Sequence, residues 1–378
     1  MRRPTPCLLL PALLISLAGS AHAQAEDGLK LRAAIAETYD SNYSQTTVAA
    51  PERIDTTTLG LTYRKAYSLQ RIDLDLNLVD YRFQNDDASD YTASNYKAAW
   101  RWSFTPRLRG NLIADRKEAP NNPVENDGST GRKQRTDTTT GFDGIYELTG
   151  GWRVLAGVSK EKQLTEKANQ ADRDFRANAA YVGARYDFAS GSNLSYTYKN
   201  SSGNYLGTGS AVSGDYDQTD SDVRLRWMAS GKVTANVNAG YVHRTHPSSS
   251  TNKDYSGVNS GVNVNWNVTG KTALSAGWTR VLGSYQPSYS QTDRFTVGPT
   301  WQFSPKTFVG LRYDISRFDT FGALPRHDKT RDIALTVVWQ PTYSATIKAT
   351  LENVTRSSNL ASANFSGHQA TISAGYSF

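Results

Sequence analysis

A chain of 378 residues with 42 Lys and Arg against 35 Asp and Glu has room for one large β domain or two ordinary ones. Its formal charge of +7 is scattered and forms no clustered basic stripe, which argues against a nucleic-acid partner. The single cysteine, Cys7, falls inside the leader described next, so disulfides, thiolate catalysis and thiolate metal sites are excluded from the mature chain.

Residues 1–23 read as a cleavable secretory signal. Arg2 and Arg3 form the positive start, Leu8 to Leu17 the apolar run, and Ala21-His22-Ala23 the small-x-small cleavage site. Residues 24–378 are then one mature domain of charge about +5. No later stretch approaches the roughly 20 apolar residues of a transmembrane helix.

The rest of the chain repeats one unit: WSFTPRL at 102–108, WMASGKV at 227–233, WNVTGKT at 266–272 and WQFSPKT at 301–307. Turn-like centres fall near Tyr67, Pro106, Gly150, Gly191, Gly231, Gly270, Pro305 and Pro341, spaced 35 to 44 residues apart. A period near 40 fits either a four-stranded propeller blade or a long β-hairpin. Side-chain alternation decides for the hairpin. Val223, Leu225 and Trp227 precede one turn, and Val233, Ala235, Val237, Ala239 and Tyr241 follow it, each separated by a polar residue. Such runs continue for 8 to 14 residues, so two strands consume a whole period.

Long strands with one apolar and one wet face, in an exported chain, predict an outer-membrane barrel with lipid outside and water inside. A soluble two-sheet protein, propeller or lectin would show the same alternation, and two features weigh against it. Seven of the eight tryptophans lie near a short turn, as expected for a belt at the bilayer interface. The belt residues are Trp102, Trp152, Trp227, Trp266, Trp301 and Trp339, with Phe378 at the end. Short turns also alternate with long polar loops such as 117–135. Eight hairpins plus a first strand (Leu29 to Asp40) and a last one (Phe365 to Phe378) give an all-β, antiparallel up-and-down barrel of about 18 strands, allowing 16 to 18. Pro299 and the pair Leu78-Val79 interrupt good strands and suggest bulges.

The wet face supplies the candidate lumen residues: Arg64, Asp75, Arg101, Arg224, Arg226, Asn263, Asn265, Arg312 and Asp314. The segment SRFDTFGALPRHDKTR, 316–331, reads as an aromatic and basic loop that either caps the barrel or holds an anionic sugar. Catalysis lacks a constellation. His243 and His246 have no matching acidic pair for a metal, and His368 has only Ser366 on its own face. No enzyme activity, cofactor or metal is therefore expected, an outer-membrane hydrolase being the least favoured reading. The length also leaves no room for a plug or passenger domain beside a barrel of this size. The final alternation Ala370, Ile372, Ala374, Tyr376, Phe378 resembles the signal read by the barrel assembly machinery, which is an expected partner together with outer-membrane lipid and lipopolysaccharide.

Three segments, LRAAIAETYDSNYSQ (31–45), LQRIDLDLNLVDYRFQN (69–85) and NYKAAWRWSFTPRLRGNLIADRKEA (95–119), resemble the EpsL-type outer-membrane proteins associated with exopolysaccharide synthesis and exosortase systems in Gram-negative bacteria. The resemblance implies an outer-membrane role in exopolysaccharide biosynthesis or export, with polysaccharide and periplasmic export proteins as partners and no catalytic residues. The alternative is a general or substrate-selective diffusion porin.

Overall fold

In a computed structural model the chain is described over residues 27–120, 134–165, 174–206, 213–247, 252–285, 288–322 and 325–378. The predicted leader and the central part of the 117–135 loop lie outside these residues. The first six strands are β1 (Gly28–Asp40), β2 (Glu52–Tyr67), β3 (Gln70–Phe83), β4 (Tyr91–Thr105), β5 (Leu108–Pro120) and β6 (Gln134–Glu147). Next come β7 (Trp152–Thr165), β8 (Phe175–Asp187), β9 (Asn193–Leu206), β10 (Ser213–Met228), β11 (Val233–Thr245) and β12 (Tyr255–Asn267). The last six are β13 (Thr272–Tyr285), β14 (Ser288–Ser304), β15 (Thr307–Phe321), β16 (His327–Trp339), β17 (Ala345–Ser358) and β18 (Phe365–Ser377).

Every strand pairs antiparallel with its neighbours in sequence, and β18 pairs back onto β1 from Arg32↔Ser377 to Asp40↔Gln369. The sheet is therefore a closed 18-strand barrel, with no edge left to template aggregation. With strands about 4.8 Å apart and tilted about 40°, the backbone radius is about 18 Å. A wall of that girth cannot be filled by its own side chains and encloses an aqueous lumen.

The sides of the wall follow from register, because directly paired residues point the same way. Leu31 pairs with Leu61, Leu61 with Leu76, and Leu76 with Tyr96. The same row of parity continues around the barrel to Leu351, Ala370 and Ile372. These apolar side chains stay open to the surroundings, Leu351 at 59% and Ile372 at 57% exposure. That outer surface is a hydrocarbon face turned to lipid, which a soluble protein would have covered.

All eight short turns lie at one end, and in four of them a side-chain hydroxyl closes the turn. Thr105, Ser230, Thr269 and Thr342 each accept, on the side-chain oxygen, a hydrogen bond from the backbone N–H three residues on, at 3.0 to 3.1 Å. The Ser/Thr-Pro/Gly-basic signature is thus a self-capped turn. At Gly150 (φ +71°) and Gly191 (φ +81°) the turn requires the left-handed region instead.

Several expectations need correction. Pro299 makes no bulge: the β14–β15 register skips the rungs around it, where proline has no N–H to donate, yet resumes unshifted at Thr300↔Gly310. Leu78 and Val79 also sit in unbroken ladders: Val79 is a buried apolar residue on the inner parity, paired with Thr58 and Ala93. The true register shifts lie next to turns, between Ser103 and Thr105 and between Gln302 and Ser304. The segment 316–331 is mostly the ends of β15 and β16, paired from Asp319↔His327 onward, so it is wall rather than a loop. Connections at the far end are not uniformly long either, since β13 ends at Tyr285 and β14 begins at Ser288.

Trp102 also departs from the belt. It lies on the outer parity but is only 5% exposed. Gly110 and Gly144 face each other on the outer side of β5 and β6, and the indole lies over both. A Cβ on Gly110 would come within 2.5 Å of the ring. The Phe142 ring stacks on the indole at 5.4 Å and Phe104 tilts over it at 4.9 Å. The tryptophan fills a gap left by paired glycines. Trp152, Trp227, Trp266, Trp301 and Trp339 do project outward, each at 44 to 53% exposure. Phe378 projects too, its N–H donated to the Leu31 carbonyl at 2.8 Å.

Candidate functional site: the inner wall

All nine candidate polar residues lie on the parity opposite the lipid face, and they divide by chemistry around the barrel. Arg64 and Asp75 belong to β2 and β3, where the Thr62 hydroxyl donates to Asp75 at 2.6 Å. Arg64 has no ion pair among the described residues. Arg101 on β4 shares Asp73 with Arg71, each at 2.8 Å. Arg224 on β10 pairs with Asp222, and Arg226 beside it has no ionic partner among the described residues.

Sequence inspection missed the residues that join these. On the turn-proximal ends of β5 to β8, Arg109 and Arg153 share Glu147, while Arg153 and Arg185 share Asp187 at 2.6 Å each. Three cations against two anions leave a positive surplus, as do Arg71 and Arg101 against Asp73. The ion pairs hold the guanidinium groups in place, and the surplus faces water. The side chains of Arg101 and Arg224 are 62% and 70% exposed, so their charge reaches the lumen. From β2 to β10 the turn-proximal inner wall is therefore an arc of fixed, open arginines.

β11 and β12 carry amides instead. Asn263 and Asn265 alternate inward, with the Asn265 side-chain N–H donated to the Asn263 side-chain oxygen at 2.8 Å. Asn236 pairs directly with Asn263 across the strands. This stretch offers hydrogen bonds without charge.

The wall from β14 to β17 holds an acidic knot. Arg312 meets Asp314 at 2.9 Å, Asp332 at 2.6 Å and Glu352 at 3.0 Å, and Arg294 reaches Asp314 at 3.1 Å. Thr296 donates its hydroxyl to Asp314 as well. The knot sets three carboxylates against two arginines, and with Lys348 inward on β17 this side carries no positive surplus. Asp314 is 5% exposed at the side chain, so the knot is a structural tie more than a solute contact. The open positive charge of the inner wall is thus concentrated on the β2–β10 side.

The remaining candidates do not assemble a reactive site. His243 points to the outer side of β11, whereas His246 is buried just beyond that strand, its ring 3.7 Å from Asp254. Among the described residues no group of three or more His, Cys, Asp or Glu could hold a metal. The His368 ring meets Asn353 at 2.8 Å, so its polar neighbour is an amide on β17. In 316–331, Arg326 is spent on Asp328 at 2.8 Å, and the His327 ring on Asp319 at 2.7 Å. That segment keeps no open cationic platform for a sugar from these groups.

No protein-family profile matches the chain, and no curated protein matches it. Solved structures do. The outer membrane protein OpdK from Pseudomonas aeruginosa superposes with a TM-score of 0.56 at 14% identity, over 93% of this chain and 99% of that one. OccK9 (OpdG) of the same organism gives 0.56 at 12%, over 93% and 98%. OccK2 (OpdF), solved in complex with glucuronate, gives 0.56 at 14%, over 95% and 100%. Likeness at this identity establishes the fold, that of an 18-strand barrel of the Gram-negative outer membrane. It also overturns the EpsL-type resemblance, since the fold neighbours are OccK/OpdK porins and no exopolysaccharide family matches. The role in polysaccharide synthesis or export that rested on that resemblance falls with it.

Proposed function

We propose that this barrel is a substrate-selective diffusion porin for small anionic solutes. The observation that carries the reading is the arc of inner-wall arginines, with Arg101 and Arg224 open to the lumen and Arg226 unpaired among the described residues. A fixed cationic strip in a wet channel raises the local concentration of anions, and neutral amides beside it hold hydroxyl-bearing solutes weakly enough to release them. Two of the similar solved structures, OccK2 with glucuronate and OpdK with vanillate, were obtained with carboxylates. That chemistry fits the same arc.

The test is conductance of the purified barrel in a planar bilayer under a salt gradient, followed by liposome uptake of glucuronate and glucose. The reversal potential is expected to report anion preference. R101Q/R224Q/R226Q is expected to slow glucuronate about tenfold while sparing glucose, at the lower end of electrostatic steering. A cation-selective barrel, or equal loss for both sugars, would overturn the reading.

A further inference from the structure

On β7 and β8 the outer face carries charge that a lipid-facing wall should not hold unbalanced. Register lays out three successive rows across β5 to β8. The lowest is Leu112, Phe142, Val158, Ala180; the next is Ala114, Thr140, Lys160, Asn178; the third is Arg116, Thr138, Lys162, Arg176. Lys160, Lys162, Arg176 and Asn178 are all exposed. Lys162 and Arg176 stand directly opposite each other, a like-charge pair that by itself destabilises a sheet.

Several outward cations on other strands are balanced, although Arg317, Lys329 and Arg331 on β15 and β16 also lack an ion pair among the described residues. Arg53 pairs with Glu37 at 3.1 Å, Arg82 with Asp80 and Asp90 at 2.8 and 3.1 Å, and Arg116 with Glu118. Lys160, Lys162 and Arg176 have no acidic partner among the described residues, and Arg176 donates only to the amide of Asn204 at 3.2 Å. Outward acids in these rows first appear two strands beyond Arg176, at Asp215 and Asp217 on β10.

Height completes the argument. From Trp152, at the turn-side interface, Lys160 and Lys162 lie eight and ten residues up β7. At about 3.4 Å per residue and a tilt of about 40° these are about 21 and 26 Å above it. An apolar band of such barrels is about 25 Å tall, so the cations reach the opposite headgroup level while the Leu112–Ala180 row stays in hydrocarbon. Between them a shallow outer groove of about 620 Å³ runs from Leu112, Phe142 and Val158 up to Lys160, Asn178 and Asn200.

We propose that this groove binds a phosphorylated lipid of the surrounding leaflet, its acyl chains against Leu112, Phe142 and Val158 and its phosphate held by Lys160, Lys162 and Arg176. A phosphate supplies the missing counter-charge, and Asn178 and Asn200 can hydrogen-bond the sugar or glycerol that bears it. Membrane anchorage places that headgroup at the cations at high effective concentration.

The experiment uses the full barrel in detergent, with retained lipid counted by native mass spectrometry after adding bis-phosphorylated lipid A. One lipid A per barrel is expected. Dephosphorylated lipid A and phosphatidylcholine are expected to bind at least tenfold more weakly, a comparison that needs no variant. K160Q/K162Q/R176Q, checked for folding by heat-modifiable gel migration, should lose at least tenfold. R53Q/R82Q, on another part of the rim, should not change retention. Equal retention of the dephosphorylated lipid, undiminished retention by the folded triple variant, or an equal loss in R53Q/R82Q would each overturn the site.

Discussion

Replacing Arg312 with methionine tests whether the knot on β14 to β17 ties the wall. The guanidinium is 18% exposed and serves three carboxylates on three strands, Asp314, Asp332 and Glu352. After the change Asp314 keeps Arg294 at 3.1 Å, but Asp332 and Glu352 lose their shared cation. Removing one partner of a buried ion pair costs about 3–5 kcal/mol, and the water on the lumen side places this cluster at about 3 kcal/mol. The neutral cluster R312M/D332N/E352Q, which keeps the Arg294–Asp314 pair, removes the stranded charges and is expected to regain all but about 1 kcal/mol. Urea titration of the detergent-folded barrel, followed by tryptophan fluorescence, measures both variants. If R312M stayed within about 0.5 kcal/mol of the parent, the size of an ordinary surface change, the knot would not be a tie. If the neutral cluster were as unstable as R312M, the loss would come from packing and not from stranded charge.

Two further outcomes follow from features outside the knot. Trp102→Ala should cost about 3 kcal/mol, because the ring fills a glycine gap, whereas Trp339→Ala at the open belt should cost about 1 kcal/mol; equal losses in urea titration would contradict the buried placement. His246, beyond the end of β11 and 1% exposed at its side chain, has its pKa lowered from 6.5, first by burial and then by Arg244, with Asp254 opposing. The unfolded chain then binds a proton more readily than the native rim, so this contribution is complete above about pH 6.5 and is lost as pH falls below it. With the intrinsic pH dependence of amide exchange divided out, protection at 252–256 should fall between pH 7 and pH 5, and His246→Gln should flatten that dependence; identical profiles would exclude the histidine as its source.

Much of the barrel is legible in the sequence because a strand has a period of two. Asn263 and Asn265 can be assigned to one face, and Val262 and Val264 to the other, without knowing any partner. Turn chemistry is equally local, since Thr269 caps its own turn with no help from distant residues. What escapes is everything that depends on the neighbouring strand. Arg312 gives no sign in sequence that it meets residues 20 and 40 positions away. Arg153 gives none that it bridges two hairpins, and Trp102 looks like any belt tryptophan until Gly110 and Gly144 are seen to be paired beneath it. Pro299 misled because a missing N–H need not shift a register. The segment 316–331 misled because its polar composition suits a wet strand end as well as a loop. The family resemblance failed for a related reason: alternating strands and aromatic turns are demanded by any such barrel, so sharing them carries little ancestry.

The distance from Trp152 to Lys160 and Lys162 also fixes which bilayer the barrel tolerates. A hydrocarbon girdle about 21–26 Å high is shorter than the roughly 30 Å core of an average bilayer. A helix can answer such mismatch by tilting, but a closed ladder of 18 strands cannot change its tilt without breaking its register. The lipid must therefore yield, thinning around the wall at a cost of fractions of a kcal/mol per Å. The barrel in this way marks a thinned annulus in any thicker membrane, a standing bias that draws it toward thin leaflets and toward other proteins surrounded by the same annulus.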